Sequence, residues 1–180
     1  MIKVTSTYAK LTSALNAFSL GLSGGAGLDV VKKAAKAARK IRDAAVDVEE
    51  AIKLRSKDVR AQMDKVLTDL PSESHARITE YEKGGSKLTI DESEMAALDA
   101  RKKINAAFEE EVTKVNKDTY EIEVTEDNLE ALKDVLGRID WTSAEIKVQM
   151  KEGKINIGLV LNVDEFIEDI SKALLEAQAK

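Results

Sequence analysis

Between Val31 and Val66, small and apolar residues recur at alternating spacings of three and four: Val31, Ala34, Ala38, Ile41, Ala45, Val48 and Ile52, then Arg55, Val59, Gln62 and Val66. A helix returns to the same face at that average interval, so the stretch reads as one long helix with a heptad seam broken at two polar positions. The alanines at its start permit close approach of a second helix. The seam implies a helical hairpin; the alternative is a long surface helix laid on a globular core.

A return arm is available. "TIDESEMAALDARKK" offers a capping box from Thr89 to Glu92, followed by Met95, Leu98, Ile104, Phe108, Val112 and Val115, which predicts a second helix over about 91–117. Between the arms, "SESHARITEYEKGGSK" reads as a connecting region with a Gly84-Gly85 break and one helical turn.

The flanks carry shorter signals. Thr7 to Leu20 reads as an amphipathic helix with Ser6 or Thr7 as its cap and Leu11, Leu15 and Phe18 on its apolar face. The run Gly21 to Gly27 ends it and reads as a hinge. "TYEIEV", residues 119–124, alternates as a strand with Tyr120, Ile122 and Val124 on one face. Leu129, Leu132, Val135, Leu136 and Ile139 mark the next helix. "AEIKVQMKEGKINIGLVL" suggests a strand hairpin around "KEGK", and Asn162 or Asp164 caps a last helix through Phe166, Ile167, Ile170, Leu174 and Leu175. The expected fold is α+β and mostly helical: a long antiparallel helical hairpin with a small antiparallel sheet and two packing helices. Its expected parts are an N-terminal amphipathic helix (1–20), a glycine-rich hinge (21–27), the helical hairpin (28–118) and a small α+β region (119–180).

Composition excludes several chemistries. The 180 residues are 43% hydrophobic and 34% charged, with one proline and three phenylalanines, a balance that fits charge-laced helices around a real core. A net charge of −5 argues against general affinity for nucleic acid or anionic membrane. The absence of cysteine removes disulfides, thiolate catalysis and cysteine-based metal sites, and suits a reducing cytoplasm. "LTSALNAFSLGL" is too short to span a bilayer, and polar residues interrupt it as a signal-peptide core, so neither a membrane segment nor a cleaved leader is expected.

No catalytic, cofactor or metal site is assigned. A phosphate loop needs a preceding strand and a Lys-Ser or Lys-Thr pair at the helix start, whereas this glycine run leads to Asp29, which would repel phosphate there. "KKAAKAARKIR" carries six basic residues, with Lys32, Lys36 and Lys40 on one face; they are either a solvated face or the internal complement of the acidic "DTYEIEVTEDNLE". Glu145-Ile146-Lys147 and Glu152-Gly153-Lys154, with Asp140 upstream, imitate a divalent-metal nuclease motif but are badly placed for it. His75 stands alone, and Glu109, Glu110 and Glu111 point to different sides of a helix. Trp141 is an interface anchor or a core plug.

The hairpin followed by "INAAFEEEVTKVNKDTYEIEV", "TEDNLEALKDVLGRID" and "DEFIEDISKALLEAQ" resembles a family of small tailed-bacteriophage proteins classed as a domain of unknown function. The resemblance covers most of residues 28–180; the N-terminal helix and the "KEGK" region depart from it. It implies phage origin and an accessory or structural role, in the host cytoplasm or the virion, and carries no catalytic residue across. The expected function is non-enzymatic contact with a virion or host protein, possible homo-oligomers included. The alternative is an inhibitor of a host enzyme or defence complex whose acidic surface mimics nucleic acid, and a metal-dependent nuclease is the remote one. Partner contacts are expected at Leu11, Leu15, Phe18, Glu121, Glu123, Glu126 and Trp141.

Overall fold

A computed structural model describes residues 1–84, 89–143 and 156–179. Its elements in chain order are β1 (Ile2–Thr7), α1 (Tyr8–Leu22), α2 (Leu28–Leu67), α3 (Ser72–Glu82), α4 (Glu92–Lys117), β2 (Thr119–Val124), α5 (Glu126–Gly137) and α6 (Ile157–Gln178). The fold is mostly helical α+β, with a two-stranded antiparallel sheet among the described residues. The chain divides into two compact units: Met1–Asp47 with Val115–Lys180, and Val48–Lys114.

In the first unit β1 and β2 pair antiparallel, from Ile2 opposite Val124 to Thr7 opposite Thr119. The register places Ile2, Val4 and Ser6 opposite Val124, Ile122 and Tyr120, so the inward residues of both strands face one core. β1 lies within residues 1–20, which the sequence reading assigned to an N-terminal amphipathic helix. Its alternation is as regular as that of β2, but a six-residue strand has no stability until a partner covers it, and that partner follows α4. Helices α1, α5 and α6 and the first half of α2 close the core with Leu11, Ala34, Ile41, Leu129, Leu132 and Phe166, among others.

Three expectations in this unit are corrected. The N-terminal segment is no separate part: Leu11 is fully buried in the common core, and α1 runs on through Gly21. The second strand of the expected "KEGK" hairpin is helical from Ile157, because Val160, Val163, Phe166 and Ile170 impose a helical period on that stretch; residues 144–155 lie outside the described ones. The cap of α6 is therefore Asn156, whose Oδ1 accepts from the Leu159 amide at 3.2 Å, and not Asn162 or Asp164.

The second unit joins the remainder of α2 to α3 and most of α4 around Leu67, Ile78, Ala97 and Leu98. The connecting region holds three turns of helix, α3, where one was expected, because Ile78 and Tyr81 find apolar cover. The capping box of α4 sits two residues beyond Thr89 and Glu92: Asp91 Oδ1 accepts from the Glu94 amide at 2.9 Å, and Glu94 Oε2 from the Asp91 amide at 3.1 Å.

Two arginines fix the register of α2 against α4. Arg55 donates to both oxygens of Glu111 at 2.8 and 2.9 Å, and Arg101 grips Glu82 at 2.9 and 3.0 Å while a third N–H reaches the Met63 carbonyl at 3.0 Å. Rising numbers on α2 meet falling numbers on α4, so the pair is an antiparallel hairpin. The polar breaks of the seam thus have roles: Arg55 crosses to α4, and Gln62 donates to Asp58, which also holds Arg55. Such planar, bidentate pairs supply geometric specificity that apolar contacts lack.

Candidate functional site

The glycine run is a packing joint and not a hinge. A Cβ on Gly21 would fall 2.2 Å from the Val135 carbonyl oxygen of α5, and one on Gly24 would fall 2.8 Å from the Arg138 Cβ. Gly25 has φ +76°, a left-handed conformation that lets the chain turn towards α2. Three of the four glycines between positions 21 and 27 therefore satisfy close approach or backbone geometry, which leaves no swinging linker for a ligand or a displaced helix.

The residues expected to meet a partner are scattered. Leu11 is interior, and Leu15 and Phe18 are partly buried against the same core, so the apolar face of α1 is covered by its own chain. That corrects the assignment of Leu11 as a partner contact, because burial in α1's own unit leaves none of it exposed; Leu15 and Phe18 keep part of their surface exposed. Trp141 is half-buried against this core as well. Glu121 and Glu123 stand on the outer face of the sheet, but Lys3 on β1 lies between them, 2.6 Å from Glu121 and 3.7 Å from Glu123. Glu121, by hydrogen bond and charge, raises the Lys3 pKa. Glu126 is exposed in the first turn of α5.

Two polar clusters resemble reactive groups. The buried Ser6 hydroxyl donates to Asp169 Oδ2 at 2.7 Å, and Lys10 reaches the same oxygen at 3.1 Å and Glu165 at 3.2 Å. Burial works to lower the Lys10 pKa, but Asp169 and Glu165 outweigh it and raise the pKa, which favours the charged amine that both carboxylates hold. Ser13, one helical stretch further on, accepts from Asn162 at 3.1 Å. Together these bonds form a ladder that ties the end of β1 and the antiparallel α1 to α6. The second cluster is Glu94, fully buried, whose Oε1 is met by the Arg77 guanidinium as an ion pair without an aligned hydrogen bond. The Ser74 hydroxyl first, then the Asp91 amide and Arg77, overcome the cost of burial and hold this carboxyl below its ordinary value. Both clusters tie elements together.

The charge pattern of α2 is partly answered from within. Lys33 lies 3.4 Å from Asp29 and 3.4 Å from Asp127 of α5, so the basic helix does meet the acidic stretch. The contact is made by Lys33, off the expected Lys32, Lys36 and Lys40 stripe. The next turn instead presents Lys36, Arg39 and Lys40 to a cavity of about 350 Å³, whose far side is built by Val124, Thr125 and Asn128 at the β2–α5 junction. Among the described residues none of these three cations has a carboxylate within ion-pair distance, though Asp43 and Glu123 also line the space. The sequence held the cations in view, but their grouping depends on where β2 and α5 pass.

Among the described residues, no three His, Cys, Asp or Glu side chains gather as metal ligands, and no helix is long and apolar enough to cross a membrane. Asp140 accepts from the Thr142 amide and hydroxyl at 3.0 and 2.6 Å, a local turn, and Glu145, Lys147, Glu152 and Lys154 lie outside the described residues. His75 opens α3 with Nε2 3.1 Å from the Leu70 carbonyl oxygen. No family model matches the chain, and comparison with curated proteins and with solved structures finds no match.

Proposed function

We propose that this chain is a non-enzymatic accessory or structural protein of a tailed bacteriophage that works by protein contact, with the helical hairpin of its second unit as the contact element. The observation that carries the reading is the uneven cover of the seam. Val59 on α2 and Leu98 on α4 are buried, yet Val48, Ile52 and Val66 on α2 and Ile104, Phe108 and Val112 on α4 all remain partly exposed. Two helices cover only the sides they turn to each other, and a third or fourth helix from a partner or a second copy would cover the rest, as in a bundle. The arginine cross-links favour this use, because they hold the hairpin in one register before any partner arrives.

The host-inhibitor reading rests on Glu121, Glu123 and Glu126, and Lys3 between the first two weakens it by reducing the charge that would imitate nucleic acid. Sedimentation velocity and affinity capture from virions and host extract test the proposal. Self-association or capture of a defined partner is expected, reduced by Ile52→Ala with Phe108→Ala while circular dichroism shows the helices retained. A strict monomer at every concentration, with no partner recovered, would sink it.

A further inference from the structure

We infer that the cavity between α2 and the β2–α5 junction binds a phosphate-bearing small molecule about the size of a mononucleotide. Lys36, Arg39 and Lys40 stand at i, i+3 and i+4, which places three positive side chains on one side of α2. They can approach β2 and α5 closely because the inward face of the same helix is Ala34, Ala37 and Ile41, all in the core. Small residues bring the backbone near, and the long basic side chains are left to border the gap.

The walls of the cavity are mostly hydrocarbon, which suits the body of such a ligand, while the cations at its border are left to meet the phosphate. Thr125 occupies the N-cap position of α5, yet its hydroxyl makes no capping bond, and the half-buried Asn128 amide stands one turn on. Both belong to the lining, as donors that could meet phosphate oxygens or ring heteroatoms. Val124 and the Met1 side chain supply hydrocarbon wall, and the volume, about 350 Å³, lies within the range of small-molecule sites. Asp43 and Glu123 on the border disfavour a bare polyanion and offer acceptors to hydroxyl or amino groups of the ligand. The cations hold the anion here, and the amino end of α5 does not: Glu126 and Asp127 already sit in its first turn.

The groove between α5 and α6 gives the contrast. It is roomier, about 470 Å³, but its Arg138 is held by Asp134 through two hydrogen bonds, at 3.0 and 2.9 Å, to one carboxylate oxygen. Among the described residues Arg39 has no such tether, so a ligand phosphate would not have to displace a carboxylate from it.

Calorimetric titration of the full chain with AMP and with inorganic phosphate, at low ionic strength, tests the inference. AMP should bind one saturable site, more tightly than phosphate alone and more weakly as salt rises. Lys36→Glu with Arg39→Glu should weaken AMP by about tenfold or more, the scale of lost charge-assisted bonds. Lys133→Glu and Lys172→Glu, elsewhere in the same unit, should leave it within about twofold. Asn128→Leu, which carries no charge change, should weaken it severalfold even if the double reversal disturbs folding. No saturable AMP binding, or equal losses in the control variants, would overturn the site. Phosphate binding as tightly as AMP would overturn the size of its ligand.

Discussion

Gly21 sits where α1 crosses α5 so closely that a single methyl group would meet a backbone oxygen, and backbone cannot swing aside as a side chain can. Gly21→Ala is therefore expected to cost about 1–3 kcal/mol, as overpacking does. Gly27 has open space around it and no left-handed φ, so Gly27→Ala should change stability by no more than about 0.5 kcal/mol or raise it slightly. Urea unfolding of the two variants checks the contrast; equal effects would return the glycines to the role of a simple linker. The sequence displayed these glycines plainly but concealed what they do, since a residue with no side chain announces freedom and tight contact with the same letter. Leu11 carried the converse ambiguity. An apolar helix face must be covered, and nothing local says by what.

Among elements, those whose period exceeds their ambiguity were legible. Strand β2 was expected at residues 119–124 and is found there, and the face of α5 was read residue by residue. The register of β1 and α1 on α6 was not, because Ser6, Lys10 and Ser13 meet Asp169, Glu165 and Asn162 only in three dimensions. The same holds for α3, a polar segment made helical by its few apolar contacts and by the ion pair of exposed Arg77 with buried Glu94 that ties it to α4. Because the Glu94 carboxyl is held below its ordinary value, the folded state favours the ionised form. Its contribution is fully present above the unfolded value near pH 4.3 and is lost as pH falls through the lower folded value. Below about pH 4, the protection of α3 amides relative to their intrinsic exchange rate should fall before that of β1 and β2, and Glu94→Gln should flatten this pH dependence while lowering protection at neutral pH. Protection of α3 that stays level to pH 3, relative to the intrinsic rate, would show the pair to be incidental.

On the scale of the whole molecule, the two hydrophobic clusters share no residue, and they differ greatly in extent. Leu98→Ala should remove about 2–5 kcal/mol from the second unit. Hydrogen exchange followed by mass spectrometry should then register the loss in α3 and α4, with protection of β1, β2 and α6 kept. Uniform loss would mean that the clusters unfold as one. The sequence led to a division at residues 28 and 118, where the helical pattern starts and stops, but the compact units part at 47 and 115, inside the helices. Periodicity reports where a helix is and is blind to which core each of its turns serves. The candidate cavity escaped the sequence for a related reason: Lys36, Arg39 and Lys40 were visible as charges, and their opposite wall comes from a part of the chain that follows α4.

The pairing of β1 with β2 also sets an order of events during synthesis. The strand made first has its partner made only after α2, α3 and α4 have left the ribosome. Until then its alternating valine and isoleucine face water or a chaperone, and closing so long a loop is a slow step compared with forming the hairpin, whose contacts lie nearer in sequence. Strand β1, made well before its partner, is thus among the last elements to become part of the folded protein.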